Sequence, residues 1–320
     1  MKSGIQLGRA VFLDFSSVDL NNDLSRNLLQ SVLPQLEYYP HTSASELPER
    51  LRDTEVVLTN SVAFDADLLC SLPKLKFIGL TATGYNHIDV ITAKRQGIAV
   101  TQLRDYCTQS VAEHALAGLL CLNQHILGLN AQVRAGLWDS LEYRRIRELS
   151  GQTLGIVGYG VLGQGLARLA TGLGMNVIAA SHNQDQSTLE FVPLKQLLLR
   201  ADAISLHVPL TEANHHLIGA PELALMRRHA LLINVSRGAV VDARALADAL
   251  RHRRIGGAFI DVFDIEPPPP DHPLLAPDLD NVILSPHMAW GSYEARQRAL
   301  DELALNVAAY CRNEARLRVV

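Results

Sequence analysis

Thr153-Leu-Gly-Ile-Val-Gly158-Tyr-Gly160-Val-Leu-Gly163 is the stretch on which the fold turns. Its first half is a short apolar run with β-branched residues, which reads as a buried strand. Its glycines open a second stretch, Gln164 to Leu173, with helical apolar spacing. Each glycine then has a physical task. Gly158 permits the tight turn, Gly160 lets backbone approach a pyrophosphate, and Gly163 lets helix and strand pack closely. The free N–H groups and positive dipole end of the new helix favour bound phosphate. The same glycine spacing occurs in ordinary turns. It is the strand before it and the helix after it that point to a dinucleotide.

Outward from this motif, strand-like runs alternate with helical ones from end to end, which argues an α/β fold with parallel sheets. Ala10–Phe15, Glu55–Thr59, Phe77–Thr81 and Gly97–Thr101 precede the motif. Asn176–Ala180, Ala203–His207, Ala230–Val235, Gly257–Asp261 and Asn281–Ser285 follow it. With the strand of the motif itself, six strands fall in the central block, the count of a complete two-halved dinucleotide-binding domain. The fingerprint starts at Gly158, so a smaller α/β domain precedes the nucleotide domain. The expected arrangement is two doubly wound parallel-sheet domains. A Rossmann-type nucleotide domain covers residues 104–290, and a smaller flavodoxin-like substrate domain covers 1–103. Residues 291–320 complete the smaller domain if the closing helical pattern, Ser292 to Tyr310, packs back on it. Ser110 to Leu129 reads as one long apolar helix linking the two, and Pro267–Pro270 as a rigid extended loop.

A chain of 320 residues can bury two cores, and 48% hydrophobic with 19% charged residues is a globular composition. A net charge of -4 gives no general attraction to nucleic acid or to an anionic membrane face. Two basic clusters, Arg144-Arg145 with Arg147 and Arg251 to Arg254, read as solvated helix ends; the second closes the helical stretch Asp242 to Leu250. The four cysteines follow no C-x-x-C spacing, which suits free thiols in a reducing compartment. No apolar run follows Met1 to Gln6 as a secretory signal would require, and no stretch approaches the length of a membrane span. The expected location is the cytoplasm.

Three candidates for chemistry follow strands of the nucleotide domain, where ligands of such sheets bind. They are Arg237 in Asn234-Val-Ser-Arg-Gly238, Glu266 in Asp261-Val-Phe-Asp-Ile-Glu266-Pro, and His287 in Ser285-Pro-His287-Met-Ala-Trp290. A guanidinium can bind a substrate carboxylate and polarise its carbonyl. A histidine can protonate the oxygen as hydride arrives and take the proton back in reverse. A carboxylate beside it orients the ring and favours the imidazolium. Taken singly, Arg237 could serve a surface ion pair, Glu266 a solvated loop and His287 a structural hydrogen bond. Their joint placement on successive strand ends favours catalysis.

In these motifs the chain resembles the D-2-hydroxyacid dehydrogenase family, and within it the glycerate dehydrogenase (hydroxypyruvate reductase) branch. The resemblance covers nearly the whole chain. It includes Thr81-Ala-Thr-Gly84-Tyr-Asn-His-Ile-Asp89, Ser110-Val-Ala-Glu-His114, the glycine fingerprint and Leu206-His-Val-Pro-Leu-Thr211. It continues through Asn234 to Gly238, Asp261 to Pro267 and Pro286 to Ser292. It implies hydride transfer between NAD(H) or NADP(H) and a small 2-oxo acid, hydroxypyruvate or glyoxylate before others. Arg237, Glu266 and His287 are then the catalytic set, and backbone N–H groups at Thr83 and Gly84 hold the substrate carboxylate, with Arg237. The implied cofactor contacts are Ser110, Gly158, Gly160, Val161, Leu162, Gly163, Ser181, His182, His207, Pro209, Val235, Ser236, Arg237, Asp261 and His287. The family also implies a homodimer through roughly Ile126 to Arg147, a segment containing Trp138. The same fold also serves as a nicotinamide-sensing scaffold of the corepressor type, the alternative from a different class.

One departure from the family pattern bears on the cofactor. NAD-selective members carry an acidic residue at the end of the second nucleotide-domain strand, against the ribose hydroxyls. Ser181 stands there, followed by His182 and Asn183, so tolerance of NADP(H) is expected; Asp185 is the alternative carboxylate. Among the remaining histidines, His215 and His216 lack a familiar ligand spacing, and no metal site is expected. His207 is expected beside the adenine, His114 as a satisfied buried histidine, and Asp271-His272-Pro273 as a turn.

Overall fold

The computed structural model describes residues 5, 7–138, 146–182 and 189–320. Two compact units divide the chain, Met1–Cys107 with Gly291–Val320, and Thr108–Trp290.

The first unit runs β1 (Ala10–Phe12), α1 (Asn27–Val32), β2 (Leu36–Tyr38), α2 (Leu47–Arg50), β3 (Val56–Thr59), α3 (Ala66–Cys70), β4 (Phe77–Leu80), α4 (Val90–Gln96) and β5 (Ala99–Thr101). All five strands are parallel, in the order β2-β1-β3-β4-β5 of a flavodoxin-like sheet. Every residue of β3 and β4 is buried, which is why these strands read as continuous apolar runs rather than as alternation. Edge strand β2, Leu36-Glu37-Tyr38, was not anticipated. Three residues with a glutamate in the middle make neither an apolar run nor a countable period.

The second unit runs α5 (Thr108–Asn123), α6 (Ile126–Arg134), β6 (Thr153–Val157), α7 (Val161–Gly172), β7 (Asn176–Ala180), β8 (Glu190–Phe191), α8 (Leu194–Arg200), β9 (Ala203–Leu206), α9 (Ala220–Leu225), β10 (Leu231–Asn234), α10 (Ala243–Arg251), β11 (Gly257–Ile260) and β12 (Val282–Leu284). The sheet is parallel throughout, in the order β12-β11-β10-β9-β6-β7-β8. The six expected strands are β6, β7 and β9 to β12. The seventh, β8, takes the third-strand place of the dinucleotide-binding order with two residues. Strand order reverses between β6 and β9, so the crevice for a ligand opens at the carboxyl ends of these two strands. The single linking helix expected over 110–129 is two helices. His125 adopts φ +51°, the left-handed region that a continuing helix cannot use, and the chain restarts as α6 at Ile126.

The last helix, α11 (Tyr293–Cys311), belongs to the first unit. Ser292 caps it by accepting from the Ala295 N–H, as a serine before an apolar helical pattern should. Its Leu300, Leu303, Ala304 and Val307 share one core with Phe12, Leu58 and Phe77. Arg296 on the same helix is 3% exposed and is satisfied by the Asp23 carboxylate (3.0 Å) and the Val18 carbonyl (3.1 Å). A buried guanidinium is tolerated because it is paired and hydrogen-bonded.

Candidate active site

At the carboxyl end of β6 the glycine series makes a cradle. A Cβ on Gly158, whose φ is +92°, would stand 2.8 Å from the carbonyl carbon and oxygen of His207, and one on Gly163 would stand 2.4 Å from the Gly158 carbonyl oxygen. Only glycine fits where these chains approach so closely. Gly160 differs, since nothing lies within 4 Å of where its Cβ would be. It caps α7 without a side chain, and among the described residues no group accepts from the N–H of Val161 or Leu162. An open face over uncapped helix N–H groups suits a diphosphate, so the residues present fit the expected dinucleotide. Ser181 directly follows β7 and is half-buried, and His182 is exposed; Asp185 lies outside the described residues.

Across the switch point β9 delivers His207, followed by Val208 and Pro209. The His207 Nε2 lies 2.9 Å from the Ser205 hydroxyl, while its Nδ1 is out of water and without a partner. Burial lowers its pKa from 6.5 to about 4, so the ring is neutral at physiological pH.

The chemistry-bearing side chains gather on the loops after β10, β11 and β12. Asn234, 1% exposed, shapes the first loop: its Oδ1 accepts from the Ser236 N–H (3.1 Å) and hydroxyl (2.9 Å), and its Nδ2 donates to the Arg237 carbonyl (3.0 Å). Val235 and Ser236 are buried in this turn. The Arg237 guanidinium donates to the Ser236 carbonyl at 2.7 Å and has no ion pair among the described residues. On the next two loops, Glu266 Oε2 lies 2.7 Å from His287 Nδ1, and Glu266 Oε1 accepts from the Phe263 N–H at 2.9 Å. Burial pushes the Glu266 carboxyl up. The bonds from His287 and the Phe263 N–H outweigh it and hold the group below the usual carboxylate range. Facing a carboxylate, Nδ1 carries the proton of the neutral ring, which leaves Nε2 as its acceptor nitrogen. The two side chains are 41% and 36% exposed, so a substrate can reach them.

His287 has φ +54°, a strained conformation for a residue with a side chain. Asp261, fully buried, holds it there. The Asp261 carbonyl accepts from the His287 N–H (2.7 Å), Oδ1 from the Met288 N–H (2.9 Å) and the Ser285 hydroxyl (2.6 Å), and Oδ2 from the Ala289 N–H (2.9 Å). Burial opposes this charge, and the bonds from His114, Ser285 and the loop still keep it below the usual range. Asp261, expected at the cofactor, thus also organises the histidine loop. Ser110, expected at the cofactor, donates to the Ala289 carbonyl of the same loop at 2.7 Å. His114 is half-buried, with Nε2 3.1 Å from the Ser285 hydroxyl and 3.3 Å from Asp261 Oδ1.

In the first unit, the loop after β4 carries Thr83, exposed, and Gly84, half-buried. The Gln102 amide, oriented to satisfy both neighbours, donates to the Thr83 carbonyl (2.8 Å) and accepts from Arg104 (3.0 Å). Among the described residues nothing accepts from the N–H of Thr83 or Gly84, which leaves both donors for an anion.

Sequence reasoning missed Asn234, Ser285 and the part played by His114. The available signal was polarity out of place, an asparagine closing an apolar strand and a histidine in an apolar helix. The partners of His114 are 147 or more positions away, so no local pattern names them.

A family model described as D-isomer specific 2-hydroxyacid dehydrogenase, NAD binding domain, matches residues 116–289. The chain is 40% identical over 280 residues to a glycerate dehydrogenase of Methylorubrum extorquens, covering 86% of this chain and 88% of that protein. It is 40% identical over 277 residues to a glyoxylate reductase of Korarchaeum cryptofilum, covering 83% and 82%. Among solved structures, an acyclic imino acid reductase in complex with NADPH and D-Arg matches with a TM-score of 0.86 at 28% identity, over 97% of this chain and 100% of that one.

Proposed function

The chain belongs to the D-2-hydroxyacid dehydrogenase family, and from that membership we propose that it reduces a small 2-oxo acid, hydroxypyruvate or glyoxylate, to D-glycerate or glycolate. The observation that carries this reading is the His287–Glu266 pair at 2.7 Å, presented with Arg237 on three successive strand-end loops. A bound nicotinamide supplies the hydride to the carbonyl carbon. Arg237 binds the substrate carboxylate and polarises the carbonyl. His287 donates the Nε2 proton to the carbonyl oxygen, keeping its Nδ1–H on Glu266, and recovers a proton in the reverse direction. Glu266 stabilises the imidazolium that this needs. The Thr83 and Gly84 N–H groups are assigned to the substrate carboxylate, as the family implies.

We also assign tolerance of NADP(H) to Ser181, where no carboxylate opposes a 2′-phosphate. A homodimer through roughly Ile126 to Arg147 is supported by exposed apolar residues on α6 and just after it: Ile126, Leu127, Val133, Leu137 and Trp138, the last 91% exposed. Residues 139–145 of the expected segment, with the basic pair Arg144-Arg145, lie outside the described residues. A cytoplasmic location is supported by four free cysteines, of which buried Cys107 has its thiol pushed up to about 11. Among the described residues no helix is long and apolar enough to cross a membrane.

The test is oxidation of NADH and NADPH with hydroxypyruvate, glyoxylate, pyruvate and phenylpyruvate in parallel. Fast turnover with either of the first two is expected. Activity only with a bulkier acid would keep the mechanism and move the substrate. Cofactor binding with silence across the panel would make the chain a nicotinamide-sensing scaffold.

A further inference from the structure

The loop that carries Glu266 is anchored from beneath by a residue that local sequence reads as a mere turn. His272 is buried, its side chain 5% exposed. The Leu274 N–H donates to its Nδ1 at 3.3 Å, so Nδ1 is the acceptor and the ring proton sits on Nε2. That Nε2 lies 3.1 Å from Asp264 Oδ1, and the ring packs edge-on against Phe263, with centroids 5.2 Å apart at 80°. The backbone of Phe263 and Asp264 also lies against Gly238, where a Cβ would come within 1.9 Å of the Phe263 carbonyl carbon. Phe263 and Asp264 thus touch both Gly238 and His272. From this segment the Phe263 N–H reaches Glu266 Oε1 at 2.9 Å, and Oε2 lies 2.7 Å from His287 Nδ1.

We propose that His272 is a positioning residue for the reaction, fixing through Asp264 and Phe263 the carboxylate of Glu266 that orients His287. This rests on the catalytic reading of Glu266 and His287 given above. A misplacement of about 1 Å in such a group costs roughly a hundredfold in rate; partial loosening of a loop that keeps its other contacts should cost less.

The experiment compares steady-state kinetics of wild type, Asp264→Ala, Asp264→Asn and His272→Asn with the 2-oxo acid that turns over fastest, each also in a Glu266→Gln background. The Asp264 side chain is 47% exposed, so Asp264→Ala cuts the link without emptying the buried ring site. His272→Asn retains an acceptor for the Leu274 N–H. Both should lower kcat roughly tenfold with KM and NADH affinity within about twofold. Asp264→Asn, which restores an acceptor for Nε2–H, should recover most of the rate. In the Glu266→Gln background neither substitution should cost more, because the group it positions is already disabled. The proposal is overturned by unchanged kcat in both variants, by a loss confined to KM or NADH binding, or by a full additional loss on top of Glu266→Gln. If Glu266→Gln alone keeps wild-type turnover, the catalytic reading fails instead, a distinguishable result.

Discussion

Two histidine–carboxylate pairs stand at opposite edges of the same seven-stranded sheet, His229–Asp202 and His287–Glu266, each with a nitrogen–oxygen distance of 2.7 Å. Distance alone does not tell them apart. Asp202 directly precedes β9, with a side chain 7% exposed. Besides His229 it accepts from the Thr153 N–H (2.8 Å) and Arg227 (2.9 Å), with Arg147 at 3.6 Å. Burial pushes its carboxyl up, and the bonds from His229, Thr153 and Arg227 pull it below the usual range. Its donors come from three places in the chain, and the cluster ties β6, β9 and the approach to β10 together. Glu266 has His287 and one backbone N–H among the described residues, and the loop after β10 carries a guanidinium without an ion pair there. What separates a stabilising cluster from a reactive one is the hydrogen-bonding capacity left over once the fold is satisfied. That surplus lies at the carboxyl edge, where loops rather than strand starts surround the ligand.

The contrast can be broken by substitution. His287→Ala should lower kcat/KM by roughly 10³–10⁴-fold, the upper range for a general acid and about 4–5 kcal/mol of barrier, with thermal stability and NADH binding unchanged. A large drop in melting temperature would make His287 a structural residue like His229. The two ends of β9 sharpen the contrast further through pH. His207, at its carboxyl end, has a folded pKa of about 4 against an ordinary 6.5. Below pH 6.5 the unfolded chain takes up a proton that the folded one refuses. Stability is therefore lost as pH falls from 6.5 to 4, by at most about 3 kcal/mol. Denaturant unfolding of cofactor-free protein across this range should flatten in His207→Asn; an unchanged slope would remove His207 from the account. Asp202, at the other end, has a folded pKa below 3.8, so its contribution is present above that value and lost only as pH falls through the lower folded one. Asp202→Asn should destabilise by about 2 kcal/mol at neutral pH, a value moderated by its half-exposed partners.

Much of this was legible before any coordinates. The strand–glycine–helix continuity at Thr153–Gly163 announces the nucleotide unit because each glycine answers a steric demand, and the structure shows those demands at Gly158 and Gly163. The placement of Arg237, Glu266 and His287 on adjacent strand ends was legible because chain order on parallel strands maps onto neighbouring strands. Elements of two or three residues were not, since β2 and β8 are too short to express a period. Nor was the support beneath the site. Nothing local tells that the Asp261 carboxylate accepts from the N–H groups of Met288 and Ala289, or that the His272 ring packs edge-on against Phe263. Such roles depend on which side chains meet across sequence separation, which composition and periodicity do not encode.

The most direct test neutralises both carboxylates with near-isosteric amides and compares kcat/KM for 2-oxo acid reduction. Glu266→Gln is expected to lose roughly a hundredfold while Asp202→Asn stays within about twofold of wild type. Comparable losses in both variants, or a larger loss at Asp202, would contradict this expectation.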